Sequence, residues 1–178
     1  MFQLETPRLH LRELSTADAA FLIELLNDPS FIDNIGDKQV RTDADVQRYL
    51  ETGPQASYRS HGYGLWRVAL QDGDVPIGIC GPVRRAGLAA PDIGFALLPA
   101  YTRQGYGFEA ARACRDHVFS VLGFASLLGI TDDANRASQA LLEKLGLSQA
   151  GVVDLYPDEA PLRLYTLSRA QWLAAVNA

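Results

Sequence analysis

The chain has 178 residues and a mass of 19.4 kDa, enough for one domain with a sizeable core. Its 48% hydrophobic and 21% charged residues are ordinary for a soluble globular protein. A net charge of −5 and a pI near 5.1 argue against a nucleic-acid binder driven by phosphate neutralisation and steer weakly toward basic amines or basic protein tails.

No apolar run approaches the roughly 20 residues that span a bilayer. Residues 1–12 lack the apolar core of a signal peptide. The expectation is a cytoplasmic monomer or homodimer with no nucleic-acid or membrane partner. Cys80 and Cys114 lie far apart, which predicts buried free thiols and no disulfide framework. His10, His61 and His117 show no metal-ligand spacing with each other or with the cysteines, so no metal is expected.

Residues 9–14 alternate with period two and predict a first strand. Ser15 or Thr16 caps the next helix, whose inner face carries Phe21, Leu22, Leu25 and Leu26. Asn27-Asp28-Pro29 stops it, and residues 31–40 read as irregular. Thr42 caps a second helix with Val46, Tyr49 and Leu50 on its stripe, ended by Gly53-Pro54. Residues 64–70 and 75–83 are strand-like, and Asp72-Gly73-Asp74 between them signals a hairpin.

Residues 92–98 are nearly all apolar, which predicts a strand buried on both faces in mid-sheet. Pro99 breaks it. From 108 to 122 apolar residues recur at helical spacing; 125–131 reads as a strand and 135–145 as an amphipathic helix ended by Gly146. A strand pair, 147–155 and 162–167, and a short helix at 169–175 complete a single α/β domain over residues 1–178.

The segment from Ile93 to Ala110 carries the most chemistry: a buried strand, a short turn, and directly a helix. The first N–H groups of a helix have no intrahelical acceptor and lie at the positive end of its dipole, so an anion there collects several hydrogen bonds. Gly105 and Gly107 let backbone approach phosphate oxygens, and Arg103 adds a fixed charge. Arg103, Gln104, Gly105, Tyr106, Gly107 and Phe108 are therefore candidates to hold an anion, although a purely structural turn also explains the two glycines. A Walker loop fails, since no Gly-Lys-Ser/Thr follows. A Rossmann turn lacks its third glycine, position 110 being alanine, and should follow the first strand, whereas an antiparallel meander precedes this one.

Residues 99–110 resemble motif A of the GNAT N-acetyltransferase superfamily, R/Q-x-x-G-x-G/A, which holds the pyrophosphate of acetyl-coenzyme A. Pro99-x-Tyr101-x-Arg103-x-Gly105-Tyr106-Gly107-x-Glu109-Ala110 is similar to the branch with the Rim ribosomal-protein N-terminal acetyltransferases. The opening Leu4-Glu5-Thr6-Pro7-Arg8-Leu9, the Asn27-Asp28-Pro29 stop, and the stretch from Asn135 through Ser138 to Lys144-Leu145-Gly146 resemble it in the same order. The resemblance implies a mixed, mostly antiparallel sheet of about seven strands flanked by helices, with a splayed parallel pair. It departs from the pattern at Thr102, the first motif position, and at Leu142, where many relatives carry the tyrosine that protonates the leaving thiolate.

By that resemblance, acetyl-coenzyme A is the cosubstrate and a primary amine, on a protein N-terminus or a small molecule, is the acceptor. The pantetheine arm pairs with backbone groups of Leu97 and Leu98, Asn135 contacts it, and Ser138 lies near the sulfur. Ser138 is expected to replace the missing tyrosine as donor to the thiolate, although Asn135 also fits a helix cap and Ser138 a solvated helix position. Asp92 is the first candidate for a water-mediated base, with Glu159 and Glu109 behind it; Glu109 also suits the helix dipole. Tyr101, Tyr106, Phe31, Tyr63 and Trp66 are candidates for the acceptor pocket or for packing. Residues 154–159 form a carboxylate-bearing loop that suits a cationic amine or a solvated turn. The opposing readings are a non-catalytic acyl-coenzyme A-binding module and a dinucleotide-binding protein.

Overall fold

The period-two pattern at the start of the chain becomes β2 (Leu9–Glu13), with Leu9 and Leu11 fully buried and His10 and Arg12 on the opposite face. In the computed structural model, which describes residues 2–157 and 159–177, β2 belongs to one eight-stranded sheet. Its order is β1 (Gln3–Glu5), β2, β3 (Trp66–Leu70), β4 (Pro76–Val83), β5 (Asp92–Leu97), β6 (Ser126–Thr131), β8 (Leu162–Ser168) and β7 (Ser148–Val153). The strand beyond the expected seven is β1, a three-residue edge too short for periodicity to reveal; its Leu4 pairs with Leu11.

Two helices also went unanticipated. Asp28 accepts a hydrogen bond from Ser30 N at 2.9 Å, and Pro29 sits in the first turn of α2 (Pro29–Ile35). Pro54 likewise opens α4 (Pro54–His61) directly after α3 (Asp43–Thr52). Each proline ends the preceding helix and starts another, because its missing N–H is harmless at a helix start. α1 (Ala19–Leu26), α5 (Tyr106–Ser120), α6 (Arg136–Lys144) and α7 (Arg169–Val176) follow the sequence expectation closely.

The sheet separates two cores. On one face, Leu11, Val68, Ile93 and Leu127 pack against Ala111, Cys114 and Val118 of α5. On the other, Ile79 and Leu98 meet Leu22 and Leu26 of α1 and Val46 and Leu50 of α3. Cys80 on β4 and Cys114 on α5 meet in the first core as free thiols, and burial and their mutual hydrogen bond hold the Cys114 thiol well above its ordinary pKa.

β5 and β6 are the one parallel pair among the described residues, and their register consists of Asp92 opposite Leu128, with Leu128 N donating to Pro91 O at 2.9 Å. β5 stays paired with β4 as far as Leu97 opposite Gly78. Beyond Asp92 the two parallel strands part. Gly94, Phe95, Ala96 and Leu97 are consequently half-buried, where their apolar composition alone predicts burial on both faces. Among the described residues no helix is long and apolar enough to cross a membrane, and no group of three or more His, Cys, Asp or Glu side chains could hold a metal.

Candidate active site

After β5, a 3-10 turn (Pro99–Tyr101) leads to two residues in the left-handed region, Arg103 at φ 59° and Gly105 at φ 85°. Glycine tolerates this conformation; an arginine there is strained, and such strain clusters at functional turns. Among the described residues, none of the N–H groups of Arg103, Gln104, Gly105, Tyr106, Gly107 and Phe108 donates to a protein acceptor, and the first helical bond runs from Glu109 N to Gly105 O at 3.0 Å. Consecutive free donors at a helix start form an anion cradle. Such a cradle suits a phosphate-bearing anion. A Cβ on Gly107 would meet Leu97 Cδ1 at 3.5 Å, so this glycine lies at the mouth of the β5–β6 gap.

Arg8, which the sequence placed only in an N-terminal likeness, is built into this turn. Its guanidinium donates to Glu109 Oε2 at 2.6 Å and to Gln104 O at 3.1 Å, and it stacks 4.4 Å above the Tyr106 ring. Thr6 Oγ1 and Arg8 N donate to Glu109 Oε1 at 2.6 and 2.9 Å. Burial raises the Glu109 pKa, but these bonds outweigh it and hold the carboxyl below its ordinary value. Glu109 is therefore a fully engaged anchor, which removes it from the list of bases. The Gln104 side chain ties the turn back to Ala100 O at 2.8 Å. Lys144 of α6 lies 4.3 Å over the Phe108 ring and adds positive charge at the same end.

Leu98 N donates to Ile77 O at 2.8 Å, toward β4. Alternation then turns the N–H and C=O groups of Phe95 and Leu97 the other way, into the gap. The expectation of Leu97 and Leu98 is thus corrected: the Leu98 N–H is already used, and Phe95 takes its place on the free edge.

At the start of α6, Asn135 Oδ1 accepts from Ser138 N at 3.0 Å, so the capping role is realised. Among the described residues the Ser138 hydroxyl makes no hydrogen bond to protein, and Ser138 is half-buried. Gln139 donates to Asp132 O and Asp133 O at 3.2 and 2.8 Å, pinning the loop between β6 and α6. Leu142 is fully buried, and a Cβ on Gly129 would meet its Cδ2 at 2.5 Å. It packs the helix tightly on β6 and offers no polar atom.

Asp92 shares its face of β5 with Gly94, opposite α5. It is 1% exposed, and Arg85 Nε lies 2.9 and 3.1 Å from its two oxygens, while Arg85 Nη1 donates to Tyr156 OH at 3.2 Å. Burial raises the Asp92 pKa and Arg85 opposes that rise. The carboxylate is tuned but closed to solvent. Glu159 is exposed, and Asp158 of the same loop lies outside the described residues.

On this face a cavity of about 360 Å³ opens between α3, α4 and the β3–β4 pair. Its aromatic lining is Tyr49, whose phenol pKa burial pushes up to about 12. The aromatics expected from sequence lie elsewhere: Trp66, Phe31 and Tyr63 are core residues, Tyr106 stacks on Arg8, and Tyr101 bridges both cores.

The GNAT acetyltransferase profile, described as "Acetyltransferase (GNAT) domain", matches residues 8–148. The chain belongs to the GNAT acetyltransferase family. GNAT members are acyltransferases that use acetyl-coenzyme A. Curated relatives include the uncharacterized protein YkkB of Bacillus subtilis, 29% identical over 82% of this chain and 84% of its own length. Another, named FsC-acetyl coenzyme A-N(2)-transacetylase, from Aspergillus fumigatus, is 25% identical over 96% of this chain and 77% of that protein. Among solved structures, a RimL ribosomal L7/L12 alpha-N-protein acetyltransferase in complex with coenzyme A shares the fold at TM-score 0.79 and 16% identity, covering 94% and 98% of the two chains. The GNAT architecture is thus the same as in the Rim branch.

Proposed function

We propose that the protein is an N-acetyltransferase that moves the acetyl group of acetyl-coenzyme A to a primary amine in a ternary complex. The observation that carries this reading is the run of unsatisfied N–H groups from Arg103 to Phe108 at the mouth of an unpaired strand edge. The first suits the pyrophosphate, together with Arg8, Arg103 and Lys144; the second suits the amide groups of the pantetheine arm, through Phe95 and Leu97, with the free carboxamide nitrogen of Asn135 nearby.

Attack by a neutral amine on the thioester forms the C–N bond and breaks the C–S bond. A backbone N–H of the β5 edge polarises the thioester carbonyl in a site with little water. The Ser138 hydroxyl, free of protein partners, donates to the departing sulfur in place of the tyrosine that Leu142 lacks. The amine proton passes to bulk water, because Asp92, the carboxylate expected to take it, is closed to solvent by burial and by Arg85.

Calorimetric titration with acetyl-coenzyme A, followed by thiol release across a panel of amines, tests this. Binding plus acetylation of at least one amine is expected. Tight binding with release from no amine would make the chain a non-catalytic acyl-coenzyme A-binding module, and NAD displacing coenzyme A would restore the dinucleotide reading.

A further inference from the structure

The cavity between α3 and α4 has a volume, about 360 Å³, near the lower end of the small-molecule range of roughly 300–1,000 Å³. Leu65 and Val83 line it, and a Cβ on Gly94 would come within 3.0 Å of Leu65 Cδ2 and 3.1 Å of Val83 Cγ2. Leu65 and Val83 thus stand between the cavity and Gly94 of β5, one residue before Phe95 and across the sheet from α5. A molecule seated there lies on the side of β5 opposite the anion cradle, one layer of side chains from the strand.

Its polar wall includes Ser60, His61 and Arg84, and among the described residues no Asp or Glu lines it. Arg84 Nη1 donates to the Leu88 carbonyl at 2.6 Å, and among the described residues no carboxylate lies within ion-pair distance of its guanidinium. The adjacent Arg85, by contrast, is neutralised by Asp92 at 2.9 Å. An uncompensated guanidinium beside a partly enclosed cavity attracts an anion and repels a second cation. This local sign is the reverse of what the net charge of −5 would favour.

We propose that the acceptor is a small amine that also bears a carboxylate, an amino acid in chemical class, with Arg84 holding the carboxylate while the amine faces the β5 edge. Polyamines and aminoglycosides, whose further positive charges would face Arg84, are then poor acceptors. This rests on the acetyltransferase reading above.

The test is thiol release with free amino acids, their methyl esters, tripeptide amides, O-phosphoethanolamine, spermidine and kanamycin, on wild type, Arg84→Gln and Arg84→Lys. Acetyl-coenzyme A affinity is measured in each protein to show that it is folded and loaded. For at least one amino acid, kcat/KM should exceed that of its ester by roughly 10- to 100-fold, the scale of one charge-assisted contact. Arg84→Gln should collapse that ratio through KM, and Arg84→Lys should restore part of it. Esters, peptide amides, O-phosphoethanolamine or polycations used as well as the free acids would overturn the proposal. So would an unchanged ratio in Arg84→Gln. Bound acetyl-coenzyme A with no release from any amine would instead defeat the acetyltransferase reading, and the acceptor class with it.

Discussion

The two faces of β5 are built by different means. Toward α5, the binding surface is made of backbone: a left-handed turn, unsatisfied N–H groups and an unpaired strand edge, braced by Arg8 and Glu109. Toward α3 and α4, it is made of side chains from separate loops and helices, with Arg84, His61 and Tyr49 around a cavity and Asp92 locked to Arg85. A backbone surface recognises what is common to all donors of one type, since main-chain groups are the same whatever the sequence. A side-chain surface can be rewritten one residue at a time, which suits the half proposed to choose among acceptors.

Substitutions on the two faces should therefore have separable effects. The largest is expected from Arg85→Leu, which strands the Asp92 carboxylate in a site where it is almost fully buried. The loss should be about 3 kcal/mol in denaturant unfolding, at the low end for a broken buried pair because the guanidinium is partly exposed. Burial already raises the Asp92 pKa, and without Arg85 it rises further. A raised carboxyl pKa means the folded state binds more protons than the unfolded, so stability falls as pH rises. The deficit of Arg85→Leu should thus widen as pH rises above the ordinary carboxylate range. The affinity of the remaining folded protein for acetyl-coenzyme A should hold, and a large drop in it would break the separation of the faces.

Gly105→Val is expected to act on the opposite half. A β-branched residue at φ 85° carries strain of about 1–3 kcal/mol, and its Cβ would press on Arg8 Nη2 at 3.2 Å. Acetyl-coenzyme A affinity should fall roughly 10-fold or more by calorimetry. Binding at wild-type strength would mean that the cradle is not the pyrophosphate site.

Ser138→Ala should lower kcat by roughly 10-fold with acetyl-coenzyme A affinity unchanged, as fits loss of one hydrogen bond to a departing thiolate. Unchanged turnover would leave the thiolate without a protein donor. The smallest effect is expected from Glu109→Gln. The Glu109 pKa is held below its ordinary value of 4.5, so its contribution is present above that pH and lost as pH falls through the lower folded value. Melting temperatures of the two proteins should therefore converge as pH falls through and below the ordinary carboxylate range.

The same contrast governs what the sequence made legible. β5, the turn and α5 form a contiguous stretch whose apolar run, glycines and helical spacing are local signals, and the fold places all three as expected. Arg8 escaped because its partners, Gln104 and Glu109, are distant in the chain. Leu98 was assigned to the free edge because composition does not say which way a strand's N–H groups alternate. Pro29 and Pro54 were read as stops, though a proline is equally a helix start. The side proposed for the acceptor was the least legible. Its cavity is assembled from residues 49–65 and 83–84, none of which carries a motif, and most of the aromatics that suit an acceptor pocket by type are taken up in the cores.

The meeting of Cys80 and Cys114 beneath α5 makes the protein's own thiols a clock. Both are buried, and the Cys114 thiol resists ionisation, so a thiol reagent can react only when the helix lifts from the sheet. Labelling rates therefore time the opening of the α5 side, and a ligand that grips the start of α5 should slow them in proportion to its occupancy. A chromogenic disulfide used to follow coenzyme A release would meanwhile run over a nearly silent background.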